Sequence, residues 1–159
     1  MKSKRIVKEL TFKPELMFQL VSDVENYPNF VPACKSLKIQ SKVEHEEVIN
    51  ILAIMEVGYG LIYEKFTSDI TINKKNLTIQ VINSDGPFKR LNNHWKFLPS
   101  DDGSSIDFEI EFEAKETLSG SIINIMFEKV FSKYMDSASS RRCRRIFGSS
   151  FSLLASRTR

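Results

Sequence analysis

The sequence predicts an α+β domain: a curved antiparallel sheet of about seven strands wrapped around one long C-terminal α-helix, with two short helices after the first strand. Three observations predict it. Between residues 35 and 114 apolar side chains recur at every second position, the period of a half-buried strand. From residue 118 onward the period becomes that of a helix. The turn signals between the strands are only two to four residues long, which suits hairpins and leaves no room for parallel crossovers.

The elements follow in order. Residues 4–12 read as a first strand, with Ile6, Leu10 and Phe12 on one face. Pro14 then opens a short helix over 14–21, since proline fits a first helical turn. Asp23 can cap a second short helical piece over 24–27, which Pro28 interrupts. Pro28 and Pro32 stiffen the apolar stretch 27–34. Strand candidates are 35–44, 47–57, 61–72, 76–83, 88–98 and 105–114. Between them stand His45-Glu46, Gly58-Tyr59-Gly60, Asn73-Lys74-Lys75-Asn76, Ser84-Asp85-Gly86-Pro87 and Asp101-Asp102-Gly103. The last strand alternates cleanly: Ile106, Phe108, Ile110, Phe112 and Ala114 face one way, and Asp107, Glu109, Glu111 and Glu113 the other.

Residues 118–147 read as one helix, roughly 45 Å long at about 1.5 Å per residue. Its apolar face is broad, because Ile122, Met126, Val130, Tyr134 and Ala138 form one row beside Ile123, Phe127, Phe131 and Met135. Such a helix must lie on something apolar, and the apolar face of the sheet is the surface on offer. This is a helix-grip arrangement. Where side chains leave the space between sheet and helix unfilled, a tunnel remains for a hydrophobic molecule.

Composition bounds the function. At 159 residues, 42% hydrophobic and 27% charged, the chain reads as a single domain over 1–150 with a basic tail at 151–159. Twelve phenylalanines furnish a large apolar interior, part of which can line a cavity. Two distant cysteines, Cys34 and Cys143, fit free thiols in a reducing compartment. The basic start of the chain lacks the apolar run of a signal peptide, so the expected location is cytoplasmic, with peripheral contact at the inner face of a membrane. The formal net charge of +3 is unevenly spread: residues 115–159 carry +6 and the rest −3. That asymmetry fits an anionic partner, either lipid head groups or RNA.

Catalytic patterns do not emerge. His45 sits in a turn signal, and His94 has no acid at a fixed near spacing. Ser119-Gly120-Ser121 lacks the glycine pattern of a nucleophile elbow. Gly58-Tyr59-Gly60 is too short for a phosphate loop, and no cluster has zinc spacing. The acidic row from Asp107 to Glu113 reads as a solvated strand face. The expectation is a binding protein with no catalytic residue, no metal and no cofactor beyond a bound lipid.

Two segments carry a family resemblance. One is Asp23-Val24-Glu25-Asn26-Tyr27-Pro28-Asn29-Phe30-Val31-Pro32-Ala33-Cys34-Lys35; the other is Gly86-Pro87-Phe88-Lys89-Arg90-Leu91 followed by Trp95-Lys96-Phe97. With the terminal helix they resemble the coenzyme Q-binding, START-like family, also described as polyketide cyclase or lipid transport proteins, which has a bacterial branch of ribosome-association toxins. Two departures are visible: Ala33 stands where the family often has Trp, and Ser139-Ser140-Arg141-Arg142-Cys143 replaces an Ala-Phe-x-x-Arg-Ala pattern. The resemblance implies a START-like domain that carries or chaperones a hydrophobic lipid, ubiquinone foremost, in support of respiration. The implied ligand wall is Tyr27, Phe30, Val31, Pro32, Phe88, Leu91, Trp95 and Phe97 from the sheet side. Met126, Val130 and Met135 supply the helix side, where methionine adapts to an irregular tail. The Tyr27 hydroxyl could reach a quinone carbonyl. Arg141, Arg144 and Arg145 would meet the anionic partner. The alternative that the toxin branch implies is a regulator that binds the large ribosomal subunit and hinders subunit association.

Overall fold

The computed structural model describes residues 1–30, 34–59 and 61–115. Seven antiparallel strands form a single sheet: β1 (Lys2–Leu10), β2 (Cys34–His45), β3 (Val48–Tyr59), β4 (Ile62–Asn73), β5 (Thr78–Asp85), β6 (Phe88–Ser100) and β7 (Gly103–Ala114). Their order is β1-β7-β6-β5-β4-β3-β2, so β2 through β7 form a meander of hairpins and β1 closes onto β7. Between β1 and β2 stand α1 (Pro14–Ser22), a 3₁₀ turn (Val24–Asn26) and α2 (Tyr27–Phe30). The long helix expected over 118–147 lies outside the described residues; among the described residues the helices are short.

Directly opposed residues in an antiparallel sheet share a face, so the register assembles continuous ladders across the inner side. One runs Ile6, Phe108, Trp95, Ile79, Ile72, Ile49. The next runs Ile110, Asn93, Val81, Ile70, Ile51. A third joins Ile106 to Phe97. These side chains are buried or half-buried, and nine of them belong to the buried core. Register shifts between Cys34 and Ser36, Ile39 and Ser41, Thr67 and Ser68, and Phe88 and Arg90 mark bulges, which bend strands and sharpen their twist.

Helix α1 packs on this inner side against β6 and β7. Its sequence explains why: Leu16, Met17, Phe18, Leu20 and Val21 are all buried, while Glu15 and Gln19 are exposed. No side chain caps its start; the Lys13 carbonyl accepts from Leu16 and Met17 N–H, both at 3.2 Å. At its other end Ser22 Oγ donates to Phe18 O at 2.6 Å. Gly103 opens β7 at φ 156°, where a Cβ would stand 2.3 Å from the Leu10 carbonyl oxygen. Only glycine lets β1 come that close.

Four local expectations change. Strand β1 runs two residues earlier than its pattern predicts, because pairing with β7 begins at Lys2 opposite Phe112; Phe12 follows the strand yet stays buried. Pro28 does not interrupt a helix, since it falls in the first turn of α2, where its missing N–H costs nothing. His94 does have an acid nearby, because the register sets Glu109 opposite it. The acidic row is not uniformly wet: Asp107 is buried, although Glu109 and Glu111 are exposed.

Candidate functional site

The inner face of the sheet is the candidate site, and aromatic rings build its wall. Trp95 packs on Phe108 with ring centroids 4.4 Å apart and stacks on Phe97 at 6.3 Å with ring planes 7° apart. Phe97 in turn receives Phe18 of α1 edge to face at 5.8 Å. Further along, Phe88 stacks on Phe66 at 6.1 Å and meets Phe112 edge to face at 5.7 Å. The Gly-Pro-Phe turn explains the position of Phe88. Gly86 takes φ 146°, its N–H is held by Asp85 Oδ1 at 2.9 Å, and the chain enters β6 with the Phe88 ring turned into the core.

Between α1 and strands β2 to β4 the inner face opens into a cleft of about 490 Å³. Phe18, Ile49, Ile51 and Ile72 give it an apolar floor, and Lys42 and Lys74 stand on its rim. Lys74 pairs with Glu44, and this contact draws the Glu44 carboxyl below and lifts the Lys74 ammonium above their ordinary values. Glu15, Gln19 and Ser22 of α1 and the following Asp23 complete the lining, so the apolar floor is ringed by polar and charged side chains.

One polar side chain interrupts the apolar ladders. Asn93 is only 8% exposed, and its Oδ1 accepts from Trp95 Nε1 at 3.0 Å. The other face of the sheet carries its own charges. There Arg5 donates from Nε and one Nη to the two Asp107 oxygens at 2.8 and 2.7 Å. That paired hydrogen bond holds the Asp107 carboxyl below the usual carboxylate range against the opposing effect of burial. Among the described residues no group of three or more His, Cys, Asp or Glu side chains is placed to hold a metal ion.

Of the sequence-predicted ligand wall, Phe88, Trp95 and Phe97 come together in the buried inner face, and Leu91 lies half-buried beside them. Tyr27 packs against the same core, but its hydroxyl donates to Val21 O at 2.5 Å and so ties α2 to the end of α1. Its single proton is used inside the fold. Phe30 belongs to α2; Val31, Pro32, Met126, Val130, Met135, Arg141, Arg144 and Arg145 lie outside the described residues. The sequence reading missed Asn93, Phe66, Phe108 and Phe112 as wall residues. For Asn93 the signal was available, since it keeps the two-residue step of Leu91, Trp95 and Phe97.

A seven-stranded antiparallel sheet with an aromatic inner face, covered in part by a short helix, is the START-like, polyketide cyclase-type α+β fold. Within it, this chain belongs to the polyketide cyclase/dehydrase and lipid transport family, whose model matches residues 10–137. It is 31% identical to the ribosome association toxin RatA of Vibrio cholerae over 143 residues, covering 87% of this chain and 93% of that protein. It is also 31% identical to the mitochondrial coenzyme Q-binding protein COQ10 homolog B of Xenopus laevis over 146 residues, 89% of this chain but 57% of that protein. Among solved structures, an 18 kDa protein of Caulobacter crescentus superposes with a TM-score of 0.74 at 30% identity, covering 94% of this chain and all of that one. The two named relatives are described as binding or regulatory proteins rather than enzymes.

Proposed function

We propose that this protein binds a hydrophobic lipid against the inner face of its sheet and carries or chaperones it without chemical change, with ubiquinone as the best single ligand. One observation carries the reading: two clusters of aromatic rings, one around Trp95 and one around Phe88, line the inner face beside an open cleft floored by Phe18, Ile49, Ile51 and Ile72 and rimmed by charge. An apolar molecule entering there leaves water without stripping a charge of its hydration. The relative named for coenzyme Q binding supports the choice of ligand. Contact with an anionic membrane would place the arginines of the C-terminal segment at the lipid surface, each contributing about 1 kcal/mol.

The chain contains one tryptophan, and the structure puts it in this wall. Trp95 is therefore a built-in reporter. Titration with decylubiquinone is expected to quench its fluorescence saturably; an unchanged spectrum at ligand excess would rule the reading out.

A second reading has its own support. The ribosome association toxin of Vibrio cholerae is matched over 93% of its length, and residues 115–159 carry +6. In that reading the basic segment contacts ribosomal RNA, and affinity falls steeply with salt. Co-sedimentation with the large ribosomal subunit at low salt, lost at high salt, is the expected result. Absence from the subunit fractions at both salts would remove it.

A further inference from the structure

Strands β3 and β4 pair without a break from Val48 opposite Asn73 to Tyr59 opposite Ile62. Among the described residues their neighbours stop short of that end. The pairing of β2 with β3 ends at Cys34 opposite Val57, and that of β5 with β4 at Thr67 opposite Asp85. The hairpin therefore runs on past β5 for five residues of β4, from Ile62 to Phe66, roughly 16 Å at about 3.3 Å per residue. Its end presents apolar side chains to water: Leu61 in the turn is 106% exposed and Tyr63 is 59% exposed. Gly58, opposite Tyr63, leaves room for the Tyr63 ring and the stem of Lys35 to lie over it. A Cβ at Gly58 would meet Lys35 Cε at 3.2 Å and Tyr63 Cδ2 at 3.6 Å. Lys35 and Lys65 are both exposed beside the tip, and Lys65 pairs with Glu56 at 3.6 Å.

We propose that the tip of the β3–β4 hairpin is a contact with a lipid surface: Leu61 and the Tyr63 ring enter the interfacial layer of a bilayer while Lys35 and Lys65 stay among the head groups. Area, shape and composition favour lipid over another protein. The two apolar side chains expose roughly 300 Å², well short of the about 800 Å² that each partner contributes to a stable protein interface. A projecting tip enters a soft surface, and it offers no hollow to receive a partner. Leucine beside tyrosine is the pairing of a membrane interface, and lysine can lay its stem along apolar surface with its head in water. The charges around the tip, Lys35 and Lys65 with Glu56 and Glu64, cancel. This contact is therefore apolar, unlike the electrostatic one proposed for the C-terminal arginines, and it does not depend on what the inner face holds.

Co-sedimentation of the full chain with vesicles of phosphatidylcholine and phosphatidylglycerol tests it. The wild type is expected to bind, and Leu61→Ser combined with Tyr63→Ser to lower the partition coefficient about tenfold. That ratio should be the same at low and high salt, because screening weakens the arginine contact and leaves apolar insertion intact. Leu98→Ser, which removes a leucine 46% exposed at the far end of β6, should leave binding unchanged. A wild type that stays in the supernatant overturns the proposal, as does a double variant that binds like the wild type or an equal loss in Leu98→Ser. A wild-type dimer in analytical ultracentrifugation that Leu61→Ser converts to monomer also overturns it, since a second copy would then cover the tip. Should the double variant fail to fold, the Leu61 methyl resonances of the wild type decide. In bicelles doped with spin-labelled phosphatidylcholine they are expected to broaden more than those of Leu98, and equal broadening contradicts the proposal.

Discussion

Phe18 meets Phe97 edge to face, with ring centroids 5.8 Å apart and planes at 81°, and this contact joins α1 to the inner face of the sheet. Phe97 is 2% exposed and also stacks on Trp95, so one ring links the helix to the aromatic wall. Phe97→Ala is expected to cost about 3–5 kcal/mol, the range for deleting a buried phenyl ring. Urea denaturation would measure it, and a loss under about 1 kcal/mol would show that the site is not packed as described. In a double-mutant cycle with Phe18→Ala, a coupling of about 0.5–1.5 kcal/mol is expected.

The Arg5–Asp107 pair predicts a pH dependence. Asp107 is held below its ordinary value chiefly by the hydrogen bonds from Arg5, with Lys96 and His94 adding favourable charge. A carboxylate depressed in the folded state adds stability above its unfolded value, near pH 4, and loses it as pH falls through the folded value. Wild type should therefore be more stable than Asp107→Asn at neutral pH, and the two should converge on acidification below about pH 4. Thermal melts across that range test it; a difference that stays constant down to low pH would contradict it.

Backbone geometry yields two changes of opposite sign. Gly103→Ala would drive a methyl group to 2.3 Å from the Leu10 carbonyl oxygen, so a loss of at least about 2 kcal/mol is expected. Glu46 is exposed in the β2–β3 turn at φ 53°, a conformation that glycine adopts without strain. Glu46→Gly should therefore stabilise by about 0.5 kcal/mol, the strain relieved outweighing the added freedom of the unfolded chain. Chemical denaturation of both variants checks the signs.

Burial pushes the Cys34 thiol up to about 11, and its Sγ donates weakly to Ser36 O at 3.6 Å. The thiolate is the reactive form, so iodoacetamide near neutral pH should label the Cys34 peptide slowly in the folded protein and fully in urea. Rapid labelling of the folded protein would show the thiol to be accessible and ionised.

Much of this was legible in the chain before any coordinates. The two-residue period gave all seven strands and the six-strand meander, because each strand is apolar on one side and the turn signals between them are local. Phe88, Trp95 and Phe97, which the family resemblance singled out, are all buried on the inner face, as the strand alternation around Trp95 and Phe97 suggests. Other features depend on register, which no single segment contains. The burial of Asp107 follows from β1 laying Arg5 beside β7, more than a hundred residues away in sequence. The Glu109–His94 pairing has the same origin. Tyr27 shows a different limit: a tyrosine near a proline-rich lip suits a ligand, and only the fold shows a backbone carbonyl within reach of its hydroxyl.

The central claim is that the inner face holds a hydrophobic molecule, and its most direct test is a mass spectrum of the organic extract from freshly purified full-length protein. A quinone or other hydrophobic lipid, released in near-stoichiometric amount and absent from the extract of a control protein, is the result this account predicts. An extract free of lipid, from a protein that also fails to take up decylubiquinone when it is added, would contradict it.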